Sequence, residues 1–295
     1  MMATAQVNRR RFRWSTVLLY FVLIVLALIF IFPIIFMLMS SLKPELQLLR
    51  DSGSFRAFLP VGDISLDNYR AAIDRAPVAR FIFNSVLVTS ITVILGLFVN
   101  SFAGFAIAIP RWRGKGIVLG LVIAVLILPF ETIAVPLLLM VSRLPNIGLE
   151  GITQGWLNTF HVQIIPFIVH PFSIFLFAQF FSELPYALVE AAKIDGASWW
   201  QIYRRVIVPI SGPIFATAAI LTVLPMWNQY LWPLMTVQSE EFRPVMVGLQ
   251  YYFQQDIAWN EVMAFLSLIT IPVLILFLAL QRTYIESIAE SGIKG

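Results

Sequence analysis

The chain contains no cysteine and carries little charge. Without cysteine it can form neither disulfide bonds nor thiolate metal sites. Charged residues make up 12% of its 295 residues, whereas a soluble domain carries about 25%. Apolar residues make up 59%, and the mean hydropathy is +0.86. A chain of this length could bury a soluble core, but this much apolar surface indicates a protein whose solvent is lipid.

Motifs of common enzymes are also absent. A P-loop needs a glycine-rich backbone followed by Lys and Ser or Thr, but the pair Gly114-Lys115 is followed by Gly116 and lacks the upstream glycine. The sequence has no His-Glu-x-x-His and no Gly-x-Ser-x-Gly, so zinc protease and serine hydrolase activities have no support. We therefore expect a non-catalytic chain. Its basic residues are scattered through loops, which indicates membrane topology and no nucleic-acid partner.

Long apolar runs predict an all-α integral membrane protein with six transmembrane helices. Each run is near or above the ~20 residues that cross ~30 Å of hydrocarbon, and none shows the period-2 alternation of barrel strands. The predicted spans are 15–41, 82–109, 117–141, 162–181, 213–237 and 262–280. The first is too long for a cleaved signal sequence, so we expect a retained anchor. The spans form one transmembrane domain, 15–280, with tails at 1–14 and 281–295.

Basic residues fix the expected orientation. On one side, 12 Lys and Arg face five acids, whereas the other side has 8 basic and 10 acidic residues. The positive-inside rule therefore predicts that both termini and the loop 182–212 are cytoplasmic. The longest outer loop, 42–81, contains Leu66-Asp67-Asn68-Tyr69, which predicts a short helix with Asp67 near its start. This loop is either a folded lid over the bundle or a landing surface for an extracytoplasmic partner.

The loop 182–212 has the pattern of a helix, a glycine turn and a second helix. Its alanines favour the first helix and keep one face thin, and Gly196 stands where a left-handed C-terminal residue is expected. Ser198 and Gln201 match a capping box, and Pro209 marks the return to the membrane. A thin helix of this kind fits a groove on a partner. An amphipathic helix resting on the bilayer is the alternative, although Glu190 and Asp195 would then face anionic lipid.

At this loop the sequence resembles a known family. The run Leu188 to Ala197, with Ile207 and Pro209 downstream, is similar to the signature cytoplasmic loop of importer-type ABC transporter permeases. The segment Trp227 to Leu234 resembles the tryptophan-asparagine segment of carbohydrate-uptake permeases. The tail 281–295 resembles the end of the maltose-type second permease subunit, although Glu286-Ser287 and Glu290-Ser291 stand where small residues are usual.

The resemblance implies a type I ABC importer permease fold and a subunit of an ATP-driven importer in a bacterial inner membrane, whose cargo is an oligosaccharide or a related polyol or sugar phosphate. Its implied partners are a homologous second permease, an ABC ATPase dimer that binds ATP and Mg, and an extracytoplasmic sugar-binding protein, so this chain binds no cofactor itself. The loop 185–209 would transmit closure of the ATPase to the membrane bundle. The residues implied in that coupling are Glu190, Ala191, Ala192, Asp195, Gly196, Ala197 and Pro209.

Polar residues inside the spans are candidates for the substrate pathway. Glu131 could line or gate the path, or it could bond to a helix left open by a nearby proline. Trp227, Asn228 and Tyr230 could hold a sugar between aromatic faces and an amide, although such aromatics also collect at membrane interfaces. The alternative function is an autonomous membrane protein, either a secondary carrier with Glu131 and His170 as a proton relay or an intramembrane enzyme, for which the sequence shows no nucleophile or metal set. Such carriers commonly show internal repeats and several buried charges, and we find no clear repeat here.

Overall fold

The computed structural model describes residues 14–148, 151–254 and 257–292. Within them the chain forms fifteen α-helices and one short β-hairpin. The N-terminal helices are α1 Trp14–Ser41, α2 Glu45–Asp51, α3 Asp67–Arg75, α4 Val78–Ala108, α5 Lys115–Leu126, α6 Phe130–Val141, α7 Phe160–Ile168 and α8 Pro171–Ser182. The remaining helices are α9 Ala187–Ile194, α10 Trp199–Ile202, α11 Val208–Ile210, α12 Gly212–Trp227, α13 Leu231–Thr236, α14 Val245–Gly248 and α15 Trp259–Gly292.

The all-α class predicted from the sequence is confirmed, with one addition. Strands β1 Pro145–Gly148 and β2 Gly151–Gln154 pair in antiparallel register, with Pro145 opposite Gln154 and Gly148 opposite Gly151. Because each strand has only four residues between long apolar helices, it leaves no alternating pattern that a sequence reading can detect.

Four helical segments are long and apolar enough to cross a membrane: Thr16–Ser41, Val78–Ala108, Phe160–Ser182 and Trp259–Ala279. The number rises to six if each of two bent helix pairs counts as one span. The predicted third span, 117–141, is such a pair, because α5 and α6 meet at 99°. Pro129 explains the break, since proline disfavours helical backbone at the residue before it and donates no N–H.

The predicted fifth span, 213–237, is also interrupted. Helix α12 ends at Trp227, and α13 begins only at Leu231. Pro233 contributes to this gap, because it has no N–H for the carbonyl four residues earlier. The second bent pair lies at the start of α12, where Trp199–Ile210 meets it at 82°. At the C-terminus α15 runs beyond the predicted sixth span to Gly292. The predicted tail at 1–14 lies outside the described residues except for Trp14.

The chain divides into two compact units. The first comprises the described residues up to Ala72 together with Ala258–Ser267. Its 42–66 segment is held by a buried ion pair between Lys43 Nζ and Asp51 Oδ2 at 3.2 Å, and Lys43 also donates to the carbonyl of Arg56. Gln47 bonds the carbonyl of Val61 and the N–H of Asp63. The helix predicted to start near Asp67 is confirmed as α3.

The second unit contains the rest of the described chain and is built around α4. This helix packs on α7, α8 and α12 through a face of small and polar residues. A Cβ on Gly104 would lie 2.6 Å from the Cβ of Phe177, so only glycine permits this approach of α4 to α8. Small residues of this kind are typical of helix interfaces in membranes, where close backbone contact replaces the hydrophobic effect.

Helices α7 and α8 form one apolar segment with a break at Val169 and His170. His170 precedes Pro171, and both break residues have extended backbone. Asn100 of α4 spans the gap, since its Nδ2 donates to the carbonyl of Ile168 at 3.0 Å and its Oδ1 accepts the N–H of His170 at 3.0 Å. The polar backbone groups freed by the break are thereby satisfied inside the protein, as an apolar environment requires.

Candidate functional site: the 182–212 loop and the pathway residues

Helix α9 separates a buried face from an exposed face. Val189 is 1% exposed, and Ala192, three residues on, packs against the same core. The opposite face is formed by residues at spacings of three, four and seven, which lie together on a helix. We call this the docking face; its members are Ala187, Glu190, Ala191 and Ile194. Ile194 is 86% exposed, so almost all of its apolar side chain is free to contact a partner.

Gly196 ends α9 in a Schellman motif. Its φ of +76° lies in the left-handed region, where an L side chain is strained. The N–H of Gly196 bonds the carbonyl of Lys193 at 3.0 Å, and the N–H of Ala197 bonds that of Ala192 at 2.9 Å. The prediction of a left-handed glycine at this position is therefore confirmed. Nothing lies within 4 Å of a Cβ placed on Gly196, so the requirement for glycine comes from the backbone and not from space.

The second helix of the loop begins as the sequence predicts. Ser198 Oγ accepts the N–H of Gln201, and Gln201 Oε1 accepts the N–H of Ser198 at 2.7 Å, which completes a capping box. Across the glycine turn, Lys193 Nζ lies 3.9 Å from the centre of the Trp199 ring. The two short helices are thus held together by a cation–π contact as well as by the turn.

The loop then enters the core through a wide π-helical turn at Tyr203–Ile207. Pro209 follows it and cannot donate to the carbonyl of Arg205, so an ordinary α-helical bond is missing there. The side chains of this turn join one buried apolar cluster with α4, α8 and α12. Its members are Phe105, Ile109, Phe177, Phe181, Val189, Ile202, Tyr203, Ile207, Ile214 and Ala218.

Tyr203 ties the loop directly to α4. Its hydroxyl lies 2.7 Å from Ser101 Oγ in a buried hydrogen bond. The Tyr203 ring also packs against Phe102 and Phe105 of α4, with centroids 5.3 and 5.4 Å away. Trp200 adds edge contacts to Phe102. Since Ser101 adjoins Asn100, the loop and the α7–α8 break are joined to the same turn of α4.

The structure places the predicted pathway residues in different surroundings. Glu131 is exposed in the first turn of α6, where the positive end of the helix dipole favours a carboxylate. Trp227 is 7% exposed at the end of α12. Asn228 is exposed, and its Nδ2 bonds the carbonyl of Leu224 at 3.0 Å. The Tyr230 hydroxyl accepts a bond from Gln250 Nε2 at 2.6 Å beside a shallow groove.

Two residues, Ile194 and Gln229, were not predicted as site residues from the sequence. In the sequence, Ile194 belongs to an i, i+3, i+7 face of the helix. That face can be identified as the exposed one only because Val189 and Ala192 pack into the core in the structure. Gln229 stands inside the tryptophan-asparagine segment, but its neighbours carry the more familiar sugar-binding side chains. The structure places Gln229 and His170, and none of the four predicted pathway residues, on the lining of one cavity of about 410 Å³.

Comparison with known proteins gives the family. Residues 94–288 match the model of the binding-protein-dependent transport system inner membrane component. The arabinooligosaccharides transport system permease protein AraQ of Halalkalibacterium halodurans is 31% identical over 92% of this chain and 93% of its own. The lactose transport system permease protein LacG of Rhizobium radiobacter is 28% identical over 95% of this chain and 97% of its own.

A solved structure agrees in fold. The crystal structure of a bacterial ABC transporter involved in the import of the acidic polysaccharide alginate contains a chain that superposes with a TM-score of 0.74. The match covers 96% of this chain and 99% of that chain, at 20% identity. Taken with the family match and the AraQ similarity, these findings show that the chain belongs to the binding-protein-dependent transport system inner membrane components and is a permease subunit of an ABC transporter, not an enzyme.

Proposed function

We propose that the chain is the permease subunit of an ATP-driven importer of sugars, and that its 185–209 loop couples it to a separate ATPase. The observation that carries this proposal is the docking face of α9, a thin, exposed surface on a loop locked to the membrane helices. Relatives named for arabinooligosaccharides, lactose, and melibiose, raffinose and stachyose support a carbohydrate cargo. One relative is named for sn-glycerol-3-phosphate.

The docking face has the features that an ATPase groove would need. Ala187 and Ala191 keep the surface thin, so that a partner backbone can approach closely. Ile194 offers an exposed apolar anchor, and burying one such side chain contributes about 1.5–3 kcal/mol. Glu190 and Asp195 place negative charge beside the anchor and favour a basic rim on the partner. Because Tyr203 fixes the loop to α4, force applied here reaches the bundle.

The proposed assembly has four kinds of component. This chain pairs with a homologous permease, two ATPase subunits bind ATP and Mg on the cytoplasmic side, and a sugar-binding protein delivers its cargo from outside. The balance of basic residues supports cytoplasmic termini. ATP drives the transport cycle only if it binds one conformation of the complex more tightly than the other, and the loop is where that difference is transmitted.

An autonomous proton-coupled carrier has less support. Such a carrier would bring Glu131 and His170 to one site, but the cavity lined by His170 does not include Glu131. Family membership also favours a subunit that acts with partners.

The test is co-purification of the ATPase. The tagged chain is purified in mild detergent from its native host, and its partners are identified by mass spectrometry. We expect Ile194→Asp to reduce ATPase recovery at least tenfold, because a charge would enter an apolar contact. Leu188→Asp, on the same helix but off the docking face, is the matched control and should retain the ATPase. Equal ATPase recovery with both variants would refute the docking face.

A further inference from the structure

Three helix interruptions meet at one cavity in the second unit. Leu128 comes from the α5–α6 break, His170 from the α7–α8 break, and Gln229 from the gap after α12. All three line the space of about 410 Å³. Non-helical backbone at membrane depth is tolerated where it is buried in protein or lines a water-filled cavity. The convergence of three breaks therefore marks this half-open cavity as a place where polar groups face an open space among apolar side chains.

The lining offers free hydrogen-bonding groups. The Gln229 side chain bonds none of the described residues, so its amide can both donate and accept. His170 Nδ1 lies 3.4 Å from the N–H of Ser173 and 3.2 Å from Ser173 Oγ, which leaves Nε2 as the ring nitrogen without a partner among the described residues, a donor or an acceptor according to the tautomer. The two residues together supply an amide that both donates and accepts and one imidazole nitrogen. Vicinal hydroxyl groups, each both donor and acceptor, match such a set.

Apolar faces complete the lining. The rings of Phe130 and Phe167 lie with centroids 5.6 Å apart, and both border the cavity. Aromatic faces pack against the C–H surfaces of a sugar ring, while the amide and the imidazole take its hydroxyls. The volume falls within the roughly 300–1,000 Å³ of small-molecule pockets.

Charge is missing from this lining. The described residues around the cavity include no Lys, Arg, Asp or Glu. A phosphate, sulfonate or carboxylate entering such a space would lose its hydration with no opposite charge to replace it, which is strongly unfavourable. The lining thus discriminates against an anionic cargo such as sn-glycerol-3-phosphate, for which a relative 27% identical to this chain is named.

We propose that this cavity is a binding site for an uncharged sugar unit, with Gln229 and His170 as its hydrogen-bonding residues. The site rests on the proposed sugar-import function and narrows it to neutral cargo. According to this proposal, this subunit itself contacts the substrate, and the contacting residues are not the tryptophan-asparagine pair at 227 and 228.

The chain's lack of cysteine permits a direct test. Gln229→Cys is introduced into the complete transporter, reconstituted with the subunits that co-purify, and labelled with a neutral maleimide. Labelling of this chain is read from its own gel band. Lactose and raffinose are the neutral probes, and glycerol 3-phosphate is the anionic one. We expect a transported neutral sugar to slow labelling at least fivefold and glycerol 3-phosphate to leave it unchanged. Asn228→Cys, adjacent but outside the lining, is the control and should label equally with and without sugar.

The outcomes separate the two proposals. Uptake of lactose or raffinose without protection of the Gln229→Cys thiol, or with protection of the Asn228→Cys thiol instead, would overturn the site and leave the importer function standing. Protection by glycerol 3-phosphate would overturn the neutral class. Failure of both probes and of every other sugar to be taken up by a complex that hydrolyses ATP would overturn the importer function and the site with it.

Substitution gives a second readout. Gln229→Leu keeps the size of the side chain but removes its hydrogen bonds, so we expect the apparent sugar affinity in uptake to fall about fivefold, the effect of one lost hydrogen bond. Asn228→Leu is the control and should leave the affinity unchanged. Equal affinities for both variants and the native complex would overturn the assignment of Gln229.

Discussion

At the residue scale, Asn100 completes the backbone bonding of a broken helix. Replacing it with Leu leaves the carbonyl of Ile168 and the N–H of His170 without their partner. We expect the free energy of unfolding to fall by about 1–2 kcal/mol and the thermal midpoint in detergent to fall by several degrees. Asn228→Leu removes an exposed amide and serves as the control. Melting curves are measured by fluorescence-detected size exclusion after heating. Identical curves for the two variants would contradict this role of Asn100.

Asp51 gives the stability of the 42–66 segment a defined pH dependence. Burial by itself raises the pKa of Asp51, but the hydrogen bonds and charges of Lys43, Gln47 and Arg56 outweigh it and hold the pKa below its usual value. Since the folded pKa lies below the unfolded one, the stabilisation is complete above the unfolded pKa of ~4 and is lost as the pH falls through the folded pKa. We expect pepsin to cut the 42–66 segment faster as the pH drops below ~4.

Two variants distinguish the loss of this ion pair from a non-specific effect of low pH on the chain. Asp51→Asn leaves the buried Lys43 without its carboxylate partner, so cleavage should be fast at every pH tested. Asp67→Asn removes a carboxylate from an exposed pair with Arg70 and should behave like the native chain. An Asp51→Asn chain that keeps the native pH profile would show that another group is responsible.

At the element scale, the hydrogen bond between Tyr203 and Ser101 links the loop to α4. Tyr203→Phe keeps the ring in its aromatic cluster but removes the bond. We expect the complex to assemble normally and to hydrolyse ~2–5 times more ATP per sugar imported, because loop movement is transmitted less faithfully. The measurement is the ratio of phosphate released to sugar taken up in proteoliposomes.

A double-mutant cycle completes the test of this link. Ser101→Ala removes the other partner, and the double variant should be no worse than either single one if the two residues act through one bond. Additive losses would show that Tyr203 and Ser101 act independently.

How far the sequence predicts an element depends on the range of the interactions that shape it. The glycine turn at Gly196 and the capping box at Ser198 follow from residues within four positions, and both were predictable. The predicted spans 117–141 and 162–181 run through Pro129 and Pro171 without a break, and the α7–α8 break persists because Asn100, 68 residues before Ile168, satisfies its backbone groups. Likewise, Gln229 becomes a candidate site residue only because three breaks that are distant in the sequence line the same cavity. Such long-range contacts leave no local pattern in a single sequence.

At the scale of the whole molecule, the proposed coupling role of the 182–212 loop depends on the orientation of the chain in the membrane. The loop can meet an ATPase only if it lies in the cytoplasm, and the excess of basic residues in loops on its side predicts that it does. Asp195→Cys and Glu240→Cys place single thiols at exposed positions on the predicted inner and outer sides. Because the native chain has no cysteine, each variant carries one reactive thiol in this chain.

The two thiols should respond oppositely to a membrane-impermeant maleimide. In intact spheroplasts we expect the Glu240→Cys variant to be labelled and the Asp195→Cys variant to be protected, and after permeabilisation both should react. The native chain is the background control, and labelling in denaturant confirms that each thiol is competent. The reverse pattern would place the docking face outside the cell, where no ATP is available to a partner, and would refute the coupling role of the loop. The expected pattern leaves the 237–244 turn on the side from which a binding protein would deliver cargo.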